Sequence, residues 1–129
     1  MQINLILAWL WIVLGFLSGS LIGLNFKFLE PDWLGGYGSP QRRLYRLGHI
    51  SFFGLGLINL MFYLTARSLS GPLGISLVIA SWALVIGAVL MPICCFTIPH
   101  APRLRNLFYL PVISLLIGGV LTLYGLLRP

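Results

Sequence analysis

Residues 47–66, LGHISFFGLGLINLMFYLTA, form an uninterrupted run without a charged side chain, entered from Arg46 and left at Arg67. A helix needs about 20 apolar residues to cross the hydrocarbon core of a bilayer, and this run has that length. Its apolar residues are continuous rather than alternating, which favours a helix over the shorter strand of a membrane barrel. The run therefore predicts a transmembrane helix, with two polar side chains in it, His49 and Asn59, that lipid contact does not require.

The rest of the chain has the same character. With 59% hydrophobic residues, 8% charged residues and a mean hydropathy of +1.01, it is far more apolar than a soluble domain, in which about a quarter of residues are charged. Uncharged runs cover residues 1–26, 47–66, 68–102 and 106–127. We therefore predict transmembrane helices at about 3–26, 44–66, 73–96 and 104–127. The predicted fold is all-α: one transmembrane domain, residues 1–129, built as an antiparallel up-and-down bundle of four helices.

The first predicted helix is expected to stay in the membrane rather than act as a cleaved signal. No positive residue precedes it, and no Ala-x-Ala-like cleavage site follows it. Its apolar stretch is also longer than the 7–15 residues, roughly, of a signal sequence.

The distribution of the cations predicts the orientation. Four crossings put six of the eight basic residues in two loops on one side: Lys27, Arg42, Arg43, Arg46, Arg103 and Arg105. Only Arg67 and Arg128 fall on the other side. The positive-inside rule then places both basic loops in the cytoplasm and both termini outside, in an inner or cytoplasmic membrane.

The net charge of +6 needs no nucleic acid to explain it, because cationic loops meet an anionic inner leaflet. We expect anionic lipid headgroups to be bound by the arginines of the basic loops, namely Arg42, Arg43, Arg46, Arg103 and Arg105.

Prolines indicate where helices begin and which backbone carbonyls lack a helical donor. Ser39 and Pro40 predict an N-cap followed by a proline at the first helical position. Pro92 lies inside a predicted helix and leaves the carbonyl of Ala88 without its helical donor, and Pro111 does the same to Leu107. Such carbonyls need other partners in a membrane.

Glycine spacing predicts close helix contacts. Gly15, Gly19 and Gly23 recur every fourth residue and leave a bare groove along one face of the first helix, a glycine zipper. This groove either packs against another helix of the same bundle or faces another subunit, a lipid or a pigment.

Three interpretations fit His49. It hydrogen-bonds a neighbouring helix; or its Nε2 ligates a haem iron or chlorophyll magnesium, with Gly56 leaving room for the macrocycle and Arg46 pairing with a propionate; or it hydrogen-bonds a quinone or a lipid headgroup. Asn59 lies about 80° from His49 around the helix and can contribute to the same site. His100 lies at the same end of the bundle and is the candidate second axial ligand.

Few residues are suited to catalysis. Glu30 and Asp32 are the only carboxylates, and both lie in a loop, whereas a membrane hydrolase or a proton-coupled carrier is expected to have a carboxylate inside a span. Cys94 and Cys95 are adjacent, which disfavours an ordinary disulfide between them. We assign no catalytic residue and no metal site, and the sequence favours a protein that is not itself an enzyme.

The order Arg46-Leu47-Gly48-His49, followed by a glycine-rich helix, resembles small subunits of respiratory or photosynthetic assemblies. The resemblance implies a role related to electron transport. The leading hypothesis is a non-catalytic membrane subunit or assembly partner of a larger complex. The alternative is a haem-, chlorophyll- or quinone-binding redox subunit built on His49, with His100 as a second ligand. A small oligomeric channel or carrier lined by His49 and Asn59 is the third hypothesis.

Overall fold

The computed structural model describes residues 1–24, 30–69 and 74–127, and these residues form helices and turns but no strand. The helices are α1 (Gln2–Leu24), α2 (Pro40–Ser68), α3 (Ile75–Thr97) and α4 (Tyr109–Leu127), with short 3₁₀ segments at Trp33–Gly35 and Pro102–Phe108. All four helical segments are long and apolar enough to cross a membrane. The chain is an all-α four-helix bundle and an integral membrane protein, as predicted. Lys27, Arg128 and the predicted helical residues 25, 26 and 73 lie outside the described residues.

α2 begins at Pro40, four residues before the predicted boundary of the span. Ser39 is its N-cap: the Oγ atom accepts a hydrogen bond from the backbone N–H of Arg42 at 3.2 Å and donates one to the carbonyl of Leu34 at 2.6 Å. The predicted cap and the proline at the first helical position are therefore confirmed. The helix extends beyond the predicted span into its charged first turns, since only the apolar part of the helix has to lie in hydrocarbon.

α4 begins five residues later than predicted, because residues 102–108 form a 3₁₀ helix. Pro102 starts that segment. Pro111 is the third residue of α4, where its missing N–H costs no helical bond since the first N–H groups of a helix have no intrahelical acceptor. The fourth span thus combines a tight 3₁₀ entry with a shorter α-helix.

The helices pack in chain order, with α1 on α2, α2 on α3 and α3 on α4, and α1 also touches α3. Of the most apolar stretch of α3, 56% is buried, against 11% for the 102–127 segment. Within α4, only Pro111 and Gly118 are buried. α3 is therefore the centre of the bundle, and α4 is an outer flank attached to it.

The glycine groove of α1 is largely filled inside the bundle. A Cβ atom built on Gly15 would lie 2.7 Å from the ring of Phe53, and one on Gly19 would lie 2.9 Å from Cε1 of His49. These distances are too short for ordinary contact, so both glycines are needed for α2 to approach α1. Gly23 has nothing within 4 Å of its Cβ position among the described residues. The interpretation of a contact within the bundle holds for the first two glycines.

The same device joins α3 to α4. Gly118 faces Leu84, whose Cγ atom would lie 2.6 Å from a built Cβ atom, and Gly87 faces Leu115 at the same distance. Each glycine contacts a leucine of the other helix. Gly87 follows Leu84 in α3, whereas its partner Leu115 precedes Gly118 in α4. This reversed order of contacts confirms that the two helices form an antiparallel hairpin.

The carbonyl groups four residues before Pro92 and Pro111 both have contacts with other side chains. The indole Nε1 of Trp11 donates a hydrogen bond to the carbonyl of Ala88 at 3.0 Å. The Sγ atom of Cys94 lies 3.8 Å from the carbonyl of Leu107, as a weak donor. The prediction of an outside partner is confirmed for the Ala88 carbonyl, and this hydrogen bond ties α1 to α3. For Leu107 it does not apply, because Pro111 lies in the first turn of α4 and the backbone N–H of Tyr109 also reaches the Leu107 carbonyl.

Candidate functional site

Polar side chains gather in three parts of the bundle. The first, here called the amide cluster, consists of Asn4, Asn59 and Ser81. The second is His49 at the contact between α1 and α2. The third is the basic end, where the start of α2 meets the segment between α3 and α4.

The amide cluster joins three helices through hydrogen-bonded side chains. Nδ2 of Asn4 donates to Oδ1 of Asn59 at 2.9 Å and to the carbonyl of Ser81 at 3.2 Å. Oγ of Ser81 donates to Oδ1 of Asn4 at 2.5 Å, and Nδ2 of Asn59 donates to the carbonyl of Leu55 at 2.9 Å. Asn4 and Asn59 are 0% exposed and Ser81 is 3% exposed. The side chain of Asn59 is therefore buried between α1 and its own helix in this bundle.

Asn4 and Ser81 were missed by the sequence analysis. The available signal was the rarity of amides in apolar helices, since polar groups inside spans pair with one another. Asn4 lies near the start of α1 and Asn59 lies in the second half of α2. Two antiparallel helices bring such positions to the same depth, so the pairing of these two residues follows from the predicted topology.

His49 is held by α1. Its Nδ1 lies 2.9 Å from Oγ of Ser18, and that hydroxyl donates to the carbonyl of Gly15 at 3.1 Å. Nε2 lies beside Gly19, 3.4 Å from the position of a Cβ atom there. Phe53 meets the ring edge to face, with centroids 5.7 Å apart.

The other residues predicted for a cofactor site are not gathered around His49. Gly56 packs on α1, since its Cβ position lies 3.1 Å from the carbonyl of Ala8. His100 is exposed, and its Nε2 lies 2.6 Å from Oη of Tyr45. The two histidines therefore have different partners: His49 is bound to α1 and His100 to the start of α2.

The arginines of the basic end divide into two kinds. Arg42, predicted to bind lipid headgroups, is 3% exposed, and its Nη1 donates to the carbonyl of Glu30 at 3.1 Å. The loop that precedes α2 folds over it. Arg46 donates to the carbonyl of Tyr37 at 3.0 Å and lies over that ring at 4.4 Å. Both residues hold the 30–38 loop against α2.

Arg43 and Arg105 are of the other kind. Both are exposed, and neither guanidinium has a hydrogen bond or an ion pair with a described residue. They line a cleft of about 550 Å³, here called the basic cleft, whose remaining walls are Pro40, Leu44, Leu47, Ile98, Asn106, Phe108 and Tyr109. Arg103 is exposed in the same segment as Arg105 but does not line the cleft. The sequence assigned these three arginines to headgroups alike, whereas the structure separates the two that border an apolar cavity from the third.

Groups suited to catalysis are scattered. Glu30 and Asp32 lie exposed in the loop before α2, and the free cysteines Cys94 and Cys95 are buried in α3. Across residues 1–24, 30–69 and 74–127, no three His, Cys, Asp or Glu side chains lie close enough together to hold a metal ion. Comparison with protein-family models, with curated proteins and with solved structures finds no match.

Proposed function

We propose that this chain is a non-catalytic membrane subunit that assembles with another membrane protein through its α4 side. The observation that carries the proposal is the asymmetry of the bundle: α3 is buried among its neighbours, whereas only 11% of the most apolar stretch of the 102–127 segment is buried. An electron-transport complex is the assembly that the sequence resemblance suggests.

The α4 side carries a groove that suits one transmembrane helix of a partner. The groove has a volume of about 450 Å³ and runs between Met91 of α3 and Val112, Leu116, Gly119 and Leu123 of α4. Gly119 has nothing within 4 Å of its Cβ position, so the backbone of α4 is bare at this point. Helices associate in lipid through close packing around small residues rather than through the hydrophobic effect, and a bare backbone beside a groove provides that contact.

Two exposed glycines whose Cβ positions have no neighbouring atoms allow a matched test. Gly119 on α4 and Gly54 on α2 are both exposed, and neither has an atom within 4 Å of its Cβ position. We expect the wild-type chain to co-purify in mild detergent with one partner at a fixed stoichiometry. Gly119→Leu removes the partner, and Gly54→Leu retains it. A stable lone monomer as the wild type, or loss of the partner only in Gly54→Leu, contradicts the proposal.

We also propose that the basic end faces the cytoplasm, at the anionic leaflet of an inner or cytoplasmic membrane. The contact between Tyr45 and His100 supports this, because it puts both basic loops at one end of the bundle. The excess of arginine at that end then satisfies the positive-inside rule.

A redox subunit built on His49 is the second candidate. The contact between Nδ1 and Oγ of Ser18 favours it, because a ligating histidine is commonly hydrogen-bonded through its other ring nitrogen, with Nε2 as the ligand. An absorption spectrum of the purified protein tests it. A Soret or chlorophyll band that is lost in His49→Ala and kept in His100→Ala supports this candidate; the absence of any band, or a band unchanged in His49→Ala, rejects a haem or chlorophyll ligand.

A further inference from the structure

We propose that the basic cleft is a binding site for one anionic phospholipid, whose phosphate is held between Arg43 and Arg105 and whose acyl chain lies along the apolar walls. This site is more specific than a cationic surface, and in the cell it rests on the cytoplasmic orientation proposed above.

The charges around the cleft suit a phosphate. Two guanidinium groups border it from different elements, Arg43 in the first turn of α2 and Arg105 in the 3₁₀ segment. Neither has a partner among the described residues, whereas Arg42 and Arg46 hold the loop before α2. Guanidinium groups bind phosphate oxygens by charge-assisted hydrogen bonds, and no carboxylate lines the cleft to compete for them.

The walls of the cleft become apolar with depth. Leu47 lies one turn of α2 beyond Arg43, and Tyr109 lies four residues beyond Arg105 at the start of α4. On both walls an arginine is therefore followed by an apolar or aromatic side chain toward the centre of the membrane. Leu47 and Tyr109 are 43% and 67% exposed, so the cleft opens onto the surrounding lipid. A cationic rim above apolar walls matches a molecule with an anionic head and a hydrocarbon tail, which a free phosphate ion lacks.

The test is native mass spectrometry of the full chain in mild detergent, with phosphatidylglycerol or phosphatidylcholine of identical acyl chains added. We expect one phosphatidylglycerol to be retained in preference to phosphatidylcholine. Arg43→Gln and Arg105→Gln should each lower that retention by about tenfold, the effect of losing one hydrogen bond to a charged group. Arg103→Gln is the matched control, since it removes the same charge from the same segment outside the cleft, and it should leave retention unchanged.

Three results would overturn the proposal. Equal retention of the two lipids would show that the cleft does not distinguish lipids by the charge of the headgroup. Equal loss in Arg103→Gln and Arg105→Gln would show a diffuse cationic surface. Displacement of phosphatidylglycerol by inorganic phosphate would show a simple anion site in which the apolar walls have no role. Because lipid reaches both ends of the protein in detergent, none of these results depends on its orientation in the cell or on a partner at α4.

Discussion

Oη of Tyr45 and Nε2 of His100 lie 2.6 Å apart, which holds the first turns of α2 against the turn that follows α3. The ring of Tyr45 also packs edge to face with Phe96 and Trp33, at centroid distances of 5.3 Å and 5.1 Å. This aromatic contact joins the two basic segments at one end of the bundle, and the basic cleft lies between the same two segments. The position of the cationic residues is thus a consequence of how α2 and α3 pack.

Removing the indole donor of Trp11 should loosen α1 from α3. Trp11→Phe keeps an aromatic ring but leaves the Ala88 carbonyl, which Pro92 has already deprived of its helical donor, without a partner. We expect the free energy of unfolding in detergent to fall by about 1 kcal/mol. Trp9→Phe, at a site that is 59% exposed on the same helix, should change it little. An equal loss of unfolding free energy in both variants would show that the smaller ring, and not the lost hydrogen bond, is the cause.

Asn59 should contribute to stability through Asn4. Asn59→Leu keeps the number and branching of the side-chain heavy atoms but removes the acceptor 2.9 Å from Nδ2 of Asn4, so we expect a loss of about 1–2 kcal/mol. Thr122→Val is the control, because that hydroxyl bonds only to the Gly118 carbonyl within its own helix. In a double-mutant cycle, the loss for Asn4→Leu with Asn59→Leu should be smaller than the sum of the two single losses. Additive losses would show that the two amides do not act as a pair.

Adjacent glycines of α4 should respond in opposite directions to the same substitution. Gly118→Ala places a Cβ atom 2.6 Å from Leu84 and 3.2 Å from its backbone nitrogen, and we expect overpacking to cost about 1–3 kcal/mol. Gly119→Ala meets nothing within 4 Å and should stabilise α4 by up to about 1 kcal/mol through its helical propensity. Thermal unfolding of the two variants in the same detergent measures the difference. Similar melting temperatures would show that α4 is not packed on α3 through Gly118.

The membrane fold could be predicted because it depends mainly on the length of the uncharged runs and of the loops between them. Uncharged runs long enough to span a bilayer locate the helices, and short loops force antiparallel neighbours. The boundaries at Pro40 and Tyr109 differed from prediction because hydropathy marks where a helix enters hydrocarbon and not where its hydrogen bonding begins.

Partners of single side chains were harder to predict. Periodicity placed His49 and the α1 glycines on particular faces, yet which face meets which helix depends on the rotation of each helix about its axis. Arg42 shows the same limit, since its burial depends on the path of the loop before α2. The basic cleft could not be predicted because its walls come from segments separated by more than 50 residues.

The central claim, that the chain crosses the membrane four times with both basic loops on one side, is tested most directly by labelling in intact cells with a membrane-impermeant maleimide. Gly38→Cys and Arg103→Cys introduce exposed thiols in the two basic segments, and Ser68→Cys introduces one at the opposite end of α2. The native Cys94 and Cys95 are buried, so the wild-type chain serves as the blank. We expect labelling of Ser68→Cys alone in intact cells and of all three after lysis. Labelling of Gly38→Cys and Arg103→Cys from opposite faces of the membrane would contradict it.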